Sequence, residues 1–190
     1  MSGTLYLCAT PIGNLGDITQ RVLDTLAEVD LIAVEDTRNT IKLLNHFKIK
    51  KRMTSYHEFN KYDKAKQLVE MMKEGKNIAI ITDAGTPGIS DPGEEVVRQC
   101  FEAGIQVTSL PGPAACITAL TMSGQKTRRF CFEAFLPKDK KEKVLRASID
   151  SAMECLDETV KVYRSNVNRM YKETHFGYPE YENMKKNGCI

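Results

Sequence analysis

The chain has 190 residues, of which 42% are hydrophobic and 27% are charged. These proportions are ordinary for a soluble globular protein, and they exclude a disordered tail or a fibrous repeat. The net charge of +2 is much smaller than that of a dedicated nucleic-acid-binding module, so any contact with RNA has to be inferred from other features.

Six cysteines are scattered along the chain without a C-x-x-C pair, and three of them lie in apolar runs. This pattern favours reduced thiols in the cytoplasm over disulfides. The N-terminus has neither a basic segment nor a long apolar stretch, so we expect no signal peptide and no contact with a membrane.

Short apolar runs alternate with amphipathic stretches over the first two thirds of the chain. This alternation predicts an α/β fold, in which helices cover a five-stranded, mostly parallel sheet. We predict the strands at residues 4–9, 31–35, 52–56, 77–82 and 106–110. Apolar residues at helical spacing predict helices at residues 19–29, 37–47 and 61–73.

The last third of the chain begins with a lysine-rich bend and continues as a long amphipathic stretch. Apolar residues at steps of three or four predict a helix of roughly 30 residues that runs through Leu145 and Met170. Its apolar face would pack onto its own domain or, alternatively, form a dimer seam. We therefore expect an α/β domain over residues 1–124 and an incomplete or divergent, mainly helical C-terminal domain over residues 125–190.

Glycine and proline residues collect where three of the predicted strands end, at residues 11–17, 83–93 and 111–115. Because open α/β sheets bind ligands at the carboxyl ends of their strands, these three loops predict one cleft. The first loop lacks the G-x-G-x-x-G spacing of dinucleotide sites and the lysine of a P-loop, and an ordinary strand-to-helix turn explains it equally well.

The second loop is longer than an ordinary strand-to-helix turn, and long loops of this kind often bind ligands. Asp83, at the end of its strand, could meet an amino or hydroxyl group of a ligand. Backbone N–H groups freed by the conformations of Gly85 and Gly88 could hold a carboxylate or the edge of an adenine ring. The alternative for the end of this loop is that residues 91–93 only cap the following helix.

Charged side chains follow the second and third predicted strands. Glu35, Asp36 and Arg38 place two acids and a cation at the start of a helix, and His57 and Glu58 follow the third strand. Arg38 could bind a phosphate, and an acid could orient a hydroxyl nucleophile. Alternatively, Asp36 simply N-caps the helix. No metal-ligand spacing occurs, so we expect no metal.

Five motifs occur in order over residues 1 to about 137, and together they resemble the ribosomal RNA small subunit methyltransferase I family of tetrapyrrole-methylase-like enzymes. The motifs are L-C-A-T-P-I-G-N-L-G-D-I-T, A-V-E-D-T-R-N-T, S-Y-H-E-F-N, T-D-A-G-T-P-G-I-S-D-P-G and L-P-G-P-A-A.

The resemblance implies transfer of a methyl group from S-adenosylmethionine to the ribose 2′-hydroxyl of a cytidine in 16S ribosomal RNA of the small ribosomal subunit. It further implies that S-adenosylhomocysteine is released and that the enzyme is a homodimer. The implied cofactor-binding residues are Pro11, Asp83, Ala84, Gly85, Ile89, Ser90, Pro113, Ala114 and Ala115. The implied catalytic residues are Glu35, Asp36 and Arg38, and the implied substrate-binding residues are Asn14, His57 and Glu58.

Two other functions are compatible with the sequence. The segment after residue 137 departs from the family pattern, so the chain could be a catalytically impaired remnant that keeps the fold and binds S-adenosylmethionine weakly. Methylation of a tetrapyrrole carbon is a second alternative within the wider family. The P-I-G-N-L-G and E-D-T-R segments favour the RNA substrate.

Overall fold

The computed structural model describes residues 2–130, 132 and 134. Residues up to Ala114 belong to one compact unit, and a second unit begins at Ala115. The helix predicted through Leu145 and Met170, with its alternative roles, lies outside the described residues, as does most of the predicted C-terminal domain. The predicted domain boundary at residue 124 stays a prediction.

The elements follow the predicted alternation of strands and helices. The strands are β1 (Thr4–Cys8), β2 (Leu31–Val34), β3 (Met53–Ser55), β4 (Ile78–Ile81) and β5 (Gln106–Leu110). The helices are α1 (Gln20–Glu28), α2 (Thr37–His46), α3 (Lys61–Lys73), α4 (Gly93–Glu102) and α5 (Ala115–Met122), and a short 3-10 helix covers Leu15–Asp17.

All neighbouring strands in the sheet are parallel, and their order is β3-β2-β4-β1-β5. Leu31 and Leu5 both align with Ile78, so β4 lies between β2 and β1 at the centre of the sheet. The carboxyl ends of all five strands therefore meet at one edge, called here the carboxyl edge. This arrangement confirms the predicted fold class.

The core consists of two layers because alternate residues of a strand face opposite sides of the sheet. Leu5, Leu31 and Ile78 are buried on the side covered by α3 and α4. Cys8, Ile32 and Ala79 are buried on the side covered by α1 and α2. Strands that are buried on both faces explain the nearly continuous apolar runs in the sequence.

Tyr56, the residue after β3, connects this strand to the start of α4. Only 3% of the residue is exposed, and its hydroxyl group donates a 2.6 Å hydrogen bond to the carbonyl oxygen of Pro92. The same hydroxyl oxygen accepts a hydrogen bond from the backbone N–H of Val96. The phenol therefore joins two elements that are about 40 residues apart in sequence.

Replacing Tyr56 with phenylalanine tests this connection. Tyr56→Phe leaves the Val96 N–H without its acceptor, and we expect the free energy of unfolding to fall by about 1–3 kcal/mol. Urea denaturation measures the change. The control is Tyr62→Phe on α3, where the side chain is largely exposed and little change is expected. Equal stability of the two variants would contradict the structural role of the Tyr56 hydroxyl.

Candidate active site

The loop of residues 83–92, which follows the central strand β4, is called here the central loop. It pairs with the loop after β1 through two backbone hydrogen bonds between Thr10 and Gly85, with N–O distances of 2.9 and 3.1 Å. The buried Thr10 hydroxyl also donates to the carbonyl oxygen of Thr82. The loops after β1 and β4 are thus joined directly.

The loop after β5 also contacts the central loop. The Thr86 hydroxyl donates a 2.9 Å hydrogen bond to the carbonyl oxygen of Pro113. A Cβ atom on Gly85 would lie 3.5 Å from the side chain of Ile12 and 3.8 Å from the Pro113 oxygen. The three glycine-bearing loops therefore converge at the carboxyl edge, as the sequence predicts.

The carboxylate of Asp91 sets the shape of the central loop. It accepts hydrogen bonds from the backbone N–H groups of Gly88, Ile89 and Gly93, at 2.7–3.1 Å. The bond from Gly93, the first residue of α4, confirms the helix-capping interpretation of residues 91–93. The loop is compact enough to hold Ser90 in the left-handed backbone region, at a φ of 61°.

The backbone N–H groups of the two glycines in the central loop both donate to acceptors within the protein. The N–H of Gly85 donates to the carbonyl oxygen of Thr10, and the N–H of Gly88 donates to Asp91. Both glycines adopt positive φ angles of 85–87°, so their conformational freedom shapes the loop. Neither donor is available for the carboxylate of a ligand.

The carboxylate of Asp83 provides a hydrogen-bond acceptor at the start of the central loop. One of its carboxylate oxygens, Oδ2, accepts a 3.2 Å hydrogen bond from the side-chain amide of Asn39. The other, Oδ1, is buried and has no hydrogen-bond partner among the described residues. A buried polar atom without a partner costs about 1–3 kcal/mol, so this oxygen is suited to a donor group on a ligand.

Asn39 is a site residue that the sequence analysis missed. It lies in the first turn of α2, three residues after Asp36. Because α2 follows β2, the strand next to β4, the start of this helix lies at the carboxyl edge. Its position just beyond the predicted acid pair was the only signal in the sequence. Its amide fixes the orientation of the Asp83 carboxylate.

Glu35 follows β2 and belongs to an acidic group at the same edge. Partial burial raises the pKa of its carboxyl group, and repulsion from Asp83, Asp91 and Asp36 raises it further. A hydrogen bond from the backbone N–H of Asp83 acts in the opposite direction and lowers this pKa. The edge therefore carries a concentrated negative charge that favours a cationic ligand.

Asp36 and Arg38 are engaged with each other. The Asp36 carboxylate accepts a 2.8 Å hydrogen bond from the Arg38 backbone N–H, which confirms the predicted N-cap of α2. It also forms an ion pair with the guanidinium group, and the hydrogen bonds from Arg38 lower the pKa of Asp36 to about 2. The phosphate predicted to bind Arg38 would have to compete with Asp36 for the exposed guanidinium group.

His57 and its neighbours follow β3, the outermost strand, at the carboxyl edge. The Nδ1 atom of His57 is buried without a partner among the described residues, and its backbone N–H donates to the side chain of Asn60. Glu58 forms an ion pair with Lys61. Phe59, the residue after Glu58, is 97% exposed. It presents an aromatic surface that the sequence analysis did not single out.

The other predicted site residues lie in the loops after β1, β4 and β5, except for Ala115. Asn14 uses its side-chain oxygen to cap the 3-10 helix through the Gly16 N–H. Pro11 is buried, and Ala115 starts α5 in the second unit. Residues of the central loop and the β5 loop that are exposed or half-buried are Ala84, Ile89, Ser90, Pro113 and Ala114. Their roles toward a ligand stay predictions.

Within the described part of the chain, no group of three or more His, Cys, Asp or Glu residues could hold a metal ion. In the same residues, no helix is both long and apolar enough to cross a membrane.

The raised pKa of Glu35 gives a pH dependence with a defined sign. The pKa of Glu35 in the folded protein lies above the ordinary value of 4.5, so folding favours the protonated carboxyl group. This contribution to the free energy of unfolding is fully present below pH 4.5 and is lost as the pH rises through the folded-state pKa. The stability of the wild type relative to Glu35→Gln should therefore fall between about pH 4 and pH 7.

Urea denaturation of both proteins across this range measures the effect. Glu28→Gln, at the exposed end of α1, is the control for the loss of one negative charge. A difference between the wild type and Glu35→Gln that rises with pH would contradict the carboxylate repulsion inferred here.

The family assignment rests on comparisons over most of the chain. A family model described as tetrapyrrole (corrin/porphyrin) methylases matches residues 4–176. The chain is 54% identical over 165 residues to ribosomal RNA small subunit methyltransferase I of Haemophilus influenzae, an alignment that covers 87% of this chain and 57% of the relative. The protein of the same name from Escherichia coli O157:H7 is 51% identical over 163 residues, with 86% and 56% covered.

The solved structures agree on the fold. The crystal structure of uroporphyrin-III-C-methyltransferase from Thermus thermophilus has a TM-score of 0.50 at 19% identity, over 67% of this chain and 54% of that chain. The chain spans about half the length of the curated relatives it matches. These relatives confirm the resemblance found in the sequence, and the chain belongs to the tetrapyrrole (corrin/porphyrin) methylase family.

Proposed function

We propose that this chain carries the cofactor site of a methyltransferase that modifies the ribose 2′-hydroxyl of a cytidine in 16S ribosomal RNA, with S-adenosylmethionine as the methyl donor. The observation that carries the cofactor assignment is the buried Oδ1 atom of Asp83, which has no hydrogen-bond partner among the described residues and lies among the convergent loops. The names of the relatives support the ribosomal RNA substrate.

The residues at the carboxyl edge fit the charges of this cofactor. S-adenosylmethionine carries an ammonium group and a sulfonium group, and when bound it supplies an electrophilic methyl group. Asp83 Oδ1 can accept a hydrogen bond from the ammonium group. The surrounding carboxylates of Glu35 and Asp91 add a negative field that stabilises either cation. The occupied N–H groups of Gly85 and Gly88 assign them to loop shape.

Glu35 is the acid we assign to the substrate hydroxyl group. Asp36 is paired with Arg38 and its pKa is low, whereas the pKa of Glu35 is raised and no cation among the described residues forms an ion pair with it. A carboxylate with a raised pKa is better suited to orient a hydroxyl group and to accept its proton. Methyl transfer depends mainly on the alignment of the reacting atoms, so this contribution is modest.

The proposal includes the small ribosomal subunit as partner, a homodimer and a cytoplasmic location. Two alternatives are kept as outcomes of the test. Methylation of a tetrapyrrole carbon is compatible with the family description, and a remnant that binds the cofactor weakly is compatible with the half-length match to the relatives.

The activity is tested with radiolabelled S-adenosylmethionine and unmethylated small ribosomal subunits, and a full-length relative serves as the positive control. The proposal predicts label in the ribosomal RNA at a cytidine whose 3′ phosphodiester resists alkaline hydrolysis. Label in a tetrapyrrole substrate, or no label while the control reacts, would contradict it.

Asp83→Asn separates the cofactor role from stability. The substitution removes the charged acceptor and its repulsion with Glu35, so the free energy of unfolding should be unchanged or higher. Loss of one hydrogen bond between charged groups, about 1.5–3 kcal/mol, should weaken S-adenosylmethionine binding about 10- to 100-fold in calorimetry. The matched control is Asp63→Asn on the exposed side of α3. Wild-type affinity in Asp83→Asn would refute the assignment.

Phe59 is positioned to stack on a base of the substrate. It is almost fully exposed beside His57, and proteins bind unstacked RNA bases on exposed aromatic rings. We expect Phe59→Ala to raise the KM for small subunits about 5- to 100-fold, and the affinity for S-adenosylmethionine to be retained.

The matched control for Phe59→Ala is Phe101→Ala. Phe101 is 86% exposed on the last turn of α4, toward the amino ends of the strands. An equal effect of the two substitutions on KM would contradict a specific role for Phe59.

A further inference from the structure

A basic segment of residues 48–52 precedes β3. It contains Lys48, Lys50, Lys51 and Arg52, so four of five consecutive residues are cationic. Within the described part of the chain, none of the four forms an ion pair. By contrast, Arg98 on α4 lies between two glutamates. The basic segment therefore presents positive charge that no neighbouring acid neutralises.

The backbone of the basic segment is held in place while its charges face outward. The N–H of Ile49 donates a 2.8 Å hydrogen bond to the carbonyl oxygen of Leu44, and the Ile49 side chain packs against the core beneath α1 and α2. The carbonyl oxygen of Arg52 accepts a hydrogen bond from the N–H of Ile32 on the neighbouring strand. Lys48, Lys50 and Arg52 are exposed.

Lys48 occupies a position that favours glycine. It follows the C-terminal end of α2 with a φ of 57°, a conformation that costs a residue with a Cβ atom about 1 kcal/mol or more. The negative end of the helix dipole offsets part of this cost for a cation. A lysine is thus held at a site where an uncharged glycine would be less strained.

The basic segment lies at the start of an edge strand that leads to the candidate active site. β3 is outermost in the sheet, and the residues after it include His57 and Phe59. From Arg52 to His57 the chain covers about 16 Å at 3.3 Å per residue.

We propose that residues 48–52 bind the phosphate backbone of the RNA substrate at a position away from the reacting nucleotide. This inference rests on the proposed function, since it takes RNA as the substrate. The charge distribution supports it: the carboxyl edge is acidic and the net charge is only +2, so phosphate affinity requires a local cationic surface.

Lysines beside an edge strand have a second physical use, because they discourage pairing with the edge of another sheet. The two roles predict different results when the charge is removed. A phosphate-binding segment loses RNA affinity and salt dependence, whereas a protective segment loses solubility and keeps RNA affinity.

The test compares Lys50→Gln/Lys51→Gln with Lys64→Gln/Lys66→Gln, which removes the same charge from α3. Binding of the full 190-residue chain to a small-subunit ribosomal RNA transcript is measured from 50 to 200 mM salt. Loss of two phosphate contacts should lower the slope of log affinity against log salt by about two, so that affinity falls about tenfold less over this range. The α3 variant should keep the wild-type slope.

Lys48→Gly gives a second variant, because glycine adopts the left-handed conformation of this position without strain. Glycine relieves the positive φ, so we expect stability that is unchanged or higher together with weaker RNA binding. Wild-type RNA affinity and salt slope in both Lys50→Gln/Lys51→Gln and Lys48→Gly would overturn the inference. So would aggregation of these variants at unchanged RNA affinity, because it assigns the lysines to edge protection.

Calorimetry with S-adenosylmethionine distinguishes this failure from failure of the proposed function. The basic-segment variants should bind the cofactor as the wild type does. Loss of RNA binding with intact cofactor affinity supports the inference. Methylation of ribosomal RNA at wild-type KM by the variants overturns the inference and leaves the proposed function standing.

Discussion

The Asp91 carboxylate is the interaction on which the arrangement of the site depends. By accepting hydrogen bonds from three backbone N–H groups, it folds the central loop into one conformation at the middle of the sheet. That loop then pairs with Thr10 after β1 and, through Thr86, contacts Pro113 after β5. The segments after all the other strands are thereby positioned relative to the loop after β4, since Asn39 and Tyr56 link it to α2 and β3.

The same fold concentrates negative charge, which has an energetic consequence. Parallel strands bring Glu35 and Asp83 to one edge, where burial and repulsion raise the pKa of Glu35, and one oxygen of Asp83 has no partner in the part of the chain that the structure describes. Both features destabilise the protein alone and are relieved by a cationic ligand, as is common in binding sites. The basic segment before β3 carries the opposite charge at the other end of an edge strand, so the protein offers one surface to a cation and a separate surface to a polyanion.

Periodicity predicted the five strands and the helices α1, α2 and α3, because each buried strand or helix face repeats at its own spacing. The helices α4 and α5 were not among these predictions. The convergence of the loops also followed, since parallel strands share one carboxyl edge. Hydrogen-bond partners did not follow: the N–H of Gly88 is taken by Asp91, and Asp83 meets Asn39, which is 44 residues away. The sequence showed the lysines before β3, but only the structure shows that no carboxylate among the described residues forms an ion pair with them.

Family membership establishes the fold, and folds of this kind serve more than one substrate, so the ligand site has to be tested directly. The most direct measurement is an NMR titration of the backbone amides with S-adenosylhomocysteine. The account predicts shifts in the segments after β1, β2, β4 and β5, and unchanged amides around the basic segment and the outer faces of α3 and α4. No shifts at saturating ligand, or shifts centred away from Asp83, would contradict the central claim that these loops form one cofactor site.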